Sequence, residues 1–118
     1  MLSANAVTVA SAIPSDERLQ SLGVDPKKKR AIRFYLLIPK RVDAQACVSF
    51  LEDYQFVAQV QPPIGALRNG HLENRYRVVV QKTAKPSRTN LTLFHALFTK
   101  LAAKYGSVYD GWEVAVMR

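Results

Sequence analysis

Leu101-Ala102-Ala103-Lys104-Tyr105-Gly106-Ser107-Val108-Tyr109-Asp110-Gly111-Trp112-Glu113-Val114-Ala115-Val116 joins the last helix of the chain to its last strand. A helical apolar stripe runs out at Tyr105, Gly106 supplies the left-handed residue that stops it, and a strand resumes with Tyr109-Asp110-Gly111-Trp112-Glu113. Trp112, the only tryptophan, shares a parity with Val114 and Val116. Tyr109, Gly111, Glu113 and Ala115 take the other parity. Asp110-Gly111 is a place for a bulge, so the alternation is read as fixed only after Trp112.

Working outward from that stretch, the preceding helix starts at Ser87, Thr89 or Asn90 as cap and runs to Tyr105. Its stripe is Leu91, Phe94, Leu97, Phe98, Leu101, Ala102 and Tyr105, with His95 beside it. Before it come a basic turn, Thr83 to Arg88, and a third strand, Asn74 to Lys82. That strand puts Tyr76, Val78 and Val80 on one face and Arg75, Arg77, Val79 and Gln81 on the other. Residues 64–73 read as a longish loop. Phe56 to Gln61 is a second strand with Phe56, Ala58 and Val60 inward, ended by Pro62-Pro63. Asp43 to Tyr54 is helical, with Ala46, Cys47, Phe50, Leu51 and Tyr54 as its stripe. Ala31 to Ile38 is the first strand: Ile32, Phe34, Leu36 and Ile38 face one way, Arg33, Tyr35 and Leu37 the other. Its half-apolar second face suits a central position.

Pro14-Ser15-Asp16-Glu17 starts a short helix with Ser15 or Asp16 as cap. Leu19 and Leu22 share one of its faces, and Gly23 ends it. It should fold back on the main body. Residues 1–14 are small and mildly apolar, lack the pattern of a secretory signal, and read as a poorly ordered tail. The expected division is therefore a tail over 1–14, a short helix and basic linker over 15–30, and a folded domain over 31–118.

The order strand-helix-strand, strand-helix-strand is that of an α+β, ferredoxin-like βαββαβ sandwich. Right-handed crossovers put both helices on one face of a four-stranded antiparallel sheet in the spatial order 4-1-3-2. Trp112 should anchor the core beneath them. The other sheet face is left open, with Arg33, Tyr35 and Leu37 at its centre and Arg75, Arg77 and Val79 beside them. Gln59 and Gln61 lie at one edge, with Glu113 and Tyr109 at the other. Pairing also gathers Lys27, Lys28, Lys29 and Arg30 with Lys82, Lys85 and Arg118 at one end, as a basic rim.

The chain has 118 residues, 48% of them hydrophobic, and a formal charge of +8. That length gives one domain with a modest core. The charge favours nucleic acid, anionic lipid or an acidic protein surface as a partner. No apolar run approaches the roughly 20 residues that cross a bilayer. Cys47, the only cysteine, sits among apolar neighbours and reads as a buried small hydrophobe in a reducing compartment. Glu52 and Asp53 diverge as helix neighbours, Asp110 and Glu113 face opposite ways, and the two histidines are far apart in sequence. No catalytic set, metal site or cofactor motif is therefore assigned. The third strand, Asn74-Arg75-Tyr76-Arg77-Val78-Val79-Val80-Gln81, has no glycine and turns Tyr76 inward, so it is not an RNA-recognition motif. A looser basic and aromatic RNA surface and a solvated arginine–glutamate cross-strand network both remain open.

Tyr109-Asp110-Gly111-Trp112, preceded by Leu101-Ala102 and Tyr105, resembles the bacterial regulator of ribonuclease activity B family, whose members inhibit ribonuclease E. Leu19, Leu22 and Asp25-Pro26 resemble that family's opening helix and linker. The aromatic first strand, its helix and Tyr54-Gln55-Phe56-Val57 resemble the next elements, so the likeness covers about residues 16–116. The resemblance implies a ferredoxin-like fold and a cytoplasmic, non-enzymatic regulator that binds the scaffold region of ribonuclease E and alters RNA turnover. It adds no catalytic residue and no cofactor. The family inhibitor is acidic, whereas this chain is basic. Three functional expectations follow. One is a regulatory or adaptor domain with a protein partner, which could be a ribonuclease. Another is an RNA-binding module using Arg33, Tyr35, Arg75, Arg77 and the rim Lys27 to Arg30. A third is a structural domain whose charge only keeps it in solution. None of them fixes an oligomeric state.

Overall fold

Nine residues, Arg30–Ile38, form strand β2, with burial on both faces from Phe34 onward. The rest of the sheet is built around it. The structure is a computed structural model, and it describes residues 6–9, 13–63, 65, 67–68 and 70–115. In chain order the elements are β1 Ala6–Val9, α1 Asp16–Ser21, β2, α2 Arg41–Asp53, β3 Val57–Gln61, β4 Leu67–Arg68, β5 His71–Leu72, β6 Tyr76–Ala84, α3 Arg88–Lys104 and β7 Val108–Ala115. The main sheet is antiparallel, in the order β1-β7-β2-β6-β3. The four strands expected from sequence are there in the expected order, as β7-β2-β6-β3, and the fold is a ferredoxin-like sandwich.

Two pieces of the sheet were not foreseen. Ala6–Val9, inside the stretch read as a tail, pairs with β7 from Ala115 to Trp112 and adds a fifth strand at that edge. Residues 1–5, 10–12 and 116–118, including Val116 and Arg118, lie outside the described residues. Within the 64–73 loop, β4 and β5 form a small separate hairpin that pairs Leu67 with Leu72.

One core lies between the sheet and the helices. Ile32, Phe34, Leu36, Ile38, Val78, Val80, Trp112 and Val114 meet Ala44, Cys47 and Leu51 of α2 and Leu91, Phe98, Leu101 and Ala102 of α3. Leu19 of α1 and Val24 after it belong to the same cluster, so the short helix does fold back. Phe98 is the aromatic hub. Its ring stacks on Phe34 at 4.5 Å and meets Phe56 edge-on at 5.7 Å. The stripe on α2 differs from the expected one. Ala44 is buried while Ala46 and Tyr54 are exposed, because the buried set runs 44, 47, 51 at helical spacing. Tyr54 packs its ring on Phe50 at 4.8 Å, outside the core.

The expected bulge is present and changes one face assignment. Phe34 is opposite Trp112 and Leu36 is opposite Tyr109, so Asp110 and Gly111 together face the single residue Tyr35. Gly111 takes φ +97°, which an L side chain rarely adopts. The extra residue flips the parity before Trp112. Tyr109 therefore turns to the helix side, where its ring lies 5.9 Å from that of Phe98.

Candidate interaction surface

The sheet face away from the helices is a closed network of side chains. Tyr35, at the centre, donates its hydroxyl hydrogen to Glu113 Oε1. The Arg77 guanidinium sits 4.0 Å above the Tyr35 ring centroid, a cation–π contact. Arg33 donates from Nε to Gln81 Oε1 at 3.2 Å. These partners stand on three neighbouring strands because β2 pairs with β6 on one side and β7 on the other. Their alternation, read from sequence, put them on one face. Burial, then the hydrogen bond to Glu113, raises the Tyr35 phenol above its ordinary range. Tyr35, Leu37 and Val79 are all buried under this network, so no flat aromatic face is presented there. At the β3 edge a shallow groove of about 190 Å³ runs between Arg33, Val57, Gln59, Val79 and Gln81.

Arg75, expected beside Arg77 on that face, precedes β6 instead. Its Nε donates to Glu73 Oε2 at 2.8 Å and its Nη2 to Oε1 at 2.9 Å. The Arg75 amide also donates to Glu73 Oε2 at 3.2 Å. Glu73 is itself buried, and its hydrogen bonds push the Arg75 guanidinium further up. A two-residue spacing between an acid and an arginine ahead of a strand was the available signal.

At the other end of the sheet the rim assembles in part. Arg30 pairs in register with Ala84, so the linker Lys27-Lys28-Lys29 and Lys85 lie at the same end, all four exposed. Lys82, paired with Ile32 and so on the helix side, lies over the Phe56 ring at 5.1 Å, with its ammonium donating to the Gln55 carbonyl at 3.3 Å. It closes the turn after α2 and stands apart from the rim lysines. Arg88 likewise ties elements together, through its amide to Asp16 Oδ1 and its Nη1 to the Ile13 carbonyl. Tyr109, Asp110, Gly111 and Trp112 form the bulge and the core anchor described above, so the motif that carries the resemblance is architectural.

Among the described residues no group of three or more His, Cys, Asp or Glu side chains could hold a metal ion. No described helix is long and apolar enough to cross a membrane. Cys47 is fully buried, and burial pushes its thiol up to about 11.

A five-stranded ferredoxin-like sandwich with a short docked helix, a bulged last strand and a cation-rich rim defines a small α+β domain of the ferredoxin-like class. The family model described as Regulator of ribonuclease activity B matches residues 16–114. The chain belongs to that family. No curated protein and no solved structure matches it.

Proposed function

We propose that the chain regulates a ribonuclease by binding it as a protein partner, with no catalytic step of its own. The observation that carries this reading is the family match over residues 16–114, from α1 to the last core residue of β7. The open sheet face supports it, since Arg33, Tyr35 and Arg77 there, and Arg75 ahead of β6, are already engaged by groups of the same chain. A ribonuclease E-type enzyme with a labelled RNA substrate tests the reading. Added protein should change the cleavage rate and co-sediment with the enzyme at about 0.15 M salt, where surface charge is screened beyond roughly 8 Å. Unchanged rates together with no complex would refute it.

A second reading, RNA contact, is favoured by one observation: Lys27, Lys28, Lys29 and Lys85 stand exposed at one end of the sheet. Such contact would be to phosphates, with affinity falling steeply as salt rises. Anisotropy of a labelled single-stranded RNA across a salt series, with Lys27 to Lys29 replaced by alanine, tests it. No binding near 0.1 M salt would sink it.

A further inference from the structure

Arg30 opens β2 on the parity of Ile32, toward the helices rather than the open face. Only its Nη1 is bonded, donating to the Lys29 carbonyl at 3.2 Å. Its Nε and Nη2 are shut off from solvent and have no hydrogen-bond partner. These two N–H groups point the same way and form the side-on fork that takes a carboxylate or phosphate with two parallel bonds. Native proteins rarely leave buried donors of this kind unpaired. Arg75 provides the comparison, because the same two atoms of its guanidinium hold both oxygens of Glu73. One fork is held by a carboxylate of the same chain, and no group of the chain bonds the equivalent fork on Arg30.

Arg30 also lines a depression of about 340 Å³ where α1 turns into the basic linker, with Gln20, Val24, Asp25 and Lys28 around it. Asp25 accepts the Lys27 amide at 2.9 Å with Oδ1, which holds the linker in a turn at the mouth. Lys27, Lys28 and Lys29 stand exposed there. We propose that the Arg30 fork is a receptor for a carboxylate side chain on an acidic segment of the protein partner, with Lys28 at its entrance. The proposal rests on the protein-partner reading above. A carboxylate fits better than an RNA phosphate for two reasons. The two donors are closed to solvent and are reached only when the Arg30 side chain turns into the depression; a carboxylate at the end of a flexible stem can enter the depression alone, whereas an RNA phosphate brings its ribose backbone with it. In addition, no aromatic residue lines the depression to hold a base.

The probe is a labelled peptide of alternating Glu and Gly, read by anisotropy at about 0.15 M salt, with labelled oligouridylate as the other arm. Arg30→Lys keeps the charge and removes the fork, so generic attraction is unchanged. Peptide affinity should fall about tenfold, the loss of one charge-assisted pair, and oligouridylate should show no dependence on Arg30. In wild type, the Arg30 Nε–H resonance should move downfield on adding peptide. That readout holds even if the variant folds poorly. Equal peptide affinity in a folded Arg30→Lys protein, or an unmoved Nε–H signal, would overturn the proposal. Oligouridylate binding that needs Arg30 would also overturn it, in favour of a phosphate. If the ribonuclease complex persists while the peptide result fails, this site falls alone. Loss of the complex in wild type removes the parent reading instead.

Discussion

Each helix of this protein stops in the same way, and that repetition gives a controlled test of its backbone. After α1, Gly23 donates to the Gln20 carbonyl at 3.0 Å and Val24 to Leu19 at 2.9 Å. After α2, Gln55 donates to Glu52 at 3.0 Å and Phe56 to Leu51 at 3.1 Å. After α3, Gly106 donates to Ala103 at 3.4 Å and Ser107 to Ala102 at 2.8 Å. The left-handed residue is glycine twice and glutamine once, with φ +88° at Gly23, +66° at Gln55 and +60° at Gly106. A left-handed conformation costs an L residue about 1–2 kcal/mol. A Cβ at Gly106 would meet nothing within 4 Å, so Gly106→Ala reports that penalty without a clash. The smaller freedom of the unfolded alanine chain offsets about 0.4–1 kcal/mol, leaving a loss of about 1 kcal/mol. Gln55→Gly should do the reverse and gain about 0.5–1 kcal/mol. Its exposed side chain is dispensable, and the Lys82 bond to its carbonyl is to the backbone. Urea unfolding followed by the fluorescence of buried Trp112 measures both, with an expected shift of ~4 °C per kcal/mol in a matching thermal melt. A Gly106→Ala protein as stable as wild type, or a Gln55→Gly protein less stable, would refute the reasoning.

Phe98→Ala should cost about 3–5 kcal/mol, because that ring is fully buried and contacts Phe34, Phe56 and Tyr109; denaturant unfolding checks it. The Cys47 thiol, buried and pushed up to about 11, should react with an aromatic disulfide at pH 8 only as fast as the protein opens. Rapid reaction in the native protein would contradict its burial. Burial raises the Tyr109 phenol above its ordinary value of 10.0, so the unfolded chain releases that proton first as pH rises. The stability this gives is fully present below about pH 10 and is lost progressively above it, toward the folded value. Tyr109→Phe should flatten the alkaline limb of stability against pH, and an unchanged limb would count against the assignment.

These stop signals also show which features the sequence could yield. Gly23 and Gly106 announce their helix ends because glycine is the cheap residue at positive φ, while Gln55 occupies the same position and carries no such mark. Alternation placed Arg33, Tyr35, Arg77 and Glu113 on one face. It could not say that they would pair with one another, since side-chain pairing depends on which strands become neighbours. The bulge at Asp110-Gly111 was visible as a glycine after an acid. Its consequence for Tyr109 was not, because one extra residue inverts everything before it. Arg68-Asn69-Gly70-His71 carries a strong hairpin signal. The strands it joins are two residues each, too short for alternation to register, and the stretch read as loop.

Arg30 is the case with functional weight. Counted by composition it is one more cation in a basic run and belongs to the rim. Counted by period it shares the parity of Ile32 and Phe34, one step before the core, and it should turn inward. The structure follows the period: Arg30 is half-buried, while Lys27, Lys28 and Lys29 are exposed. The formal charge of +8 thus resolves into unlike parts. Arg33, Arg75 and Arg77 are engaged by partners within the chain, and Lys82 and Arg88 tie elements together. Lys27, Lys28, Lys29 and Lys85 face solvent at one end of the sheet. A partner drawn by the overall field would meet those lysines first, and beside them Arg30 holds two buried N–H groups with no hydrogen-bond partner in the chain. Long-range charge can supply the encounter, but a fork that accepts one planar oxyanion can supply discrimination among acidic partners.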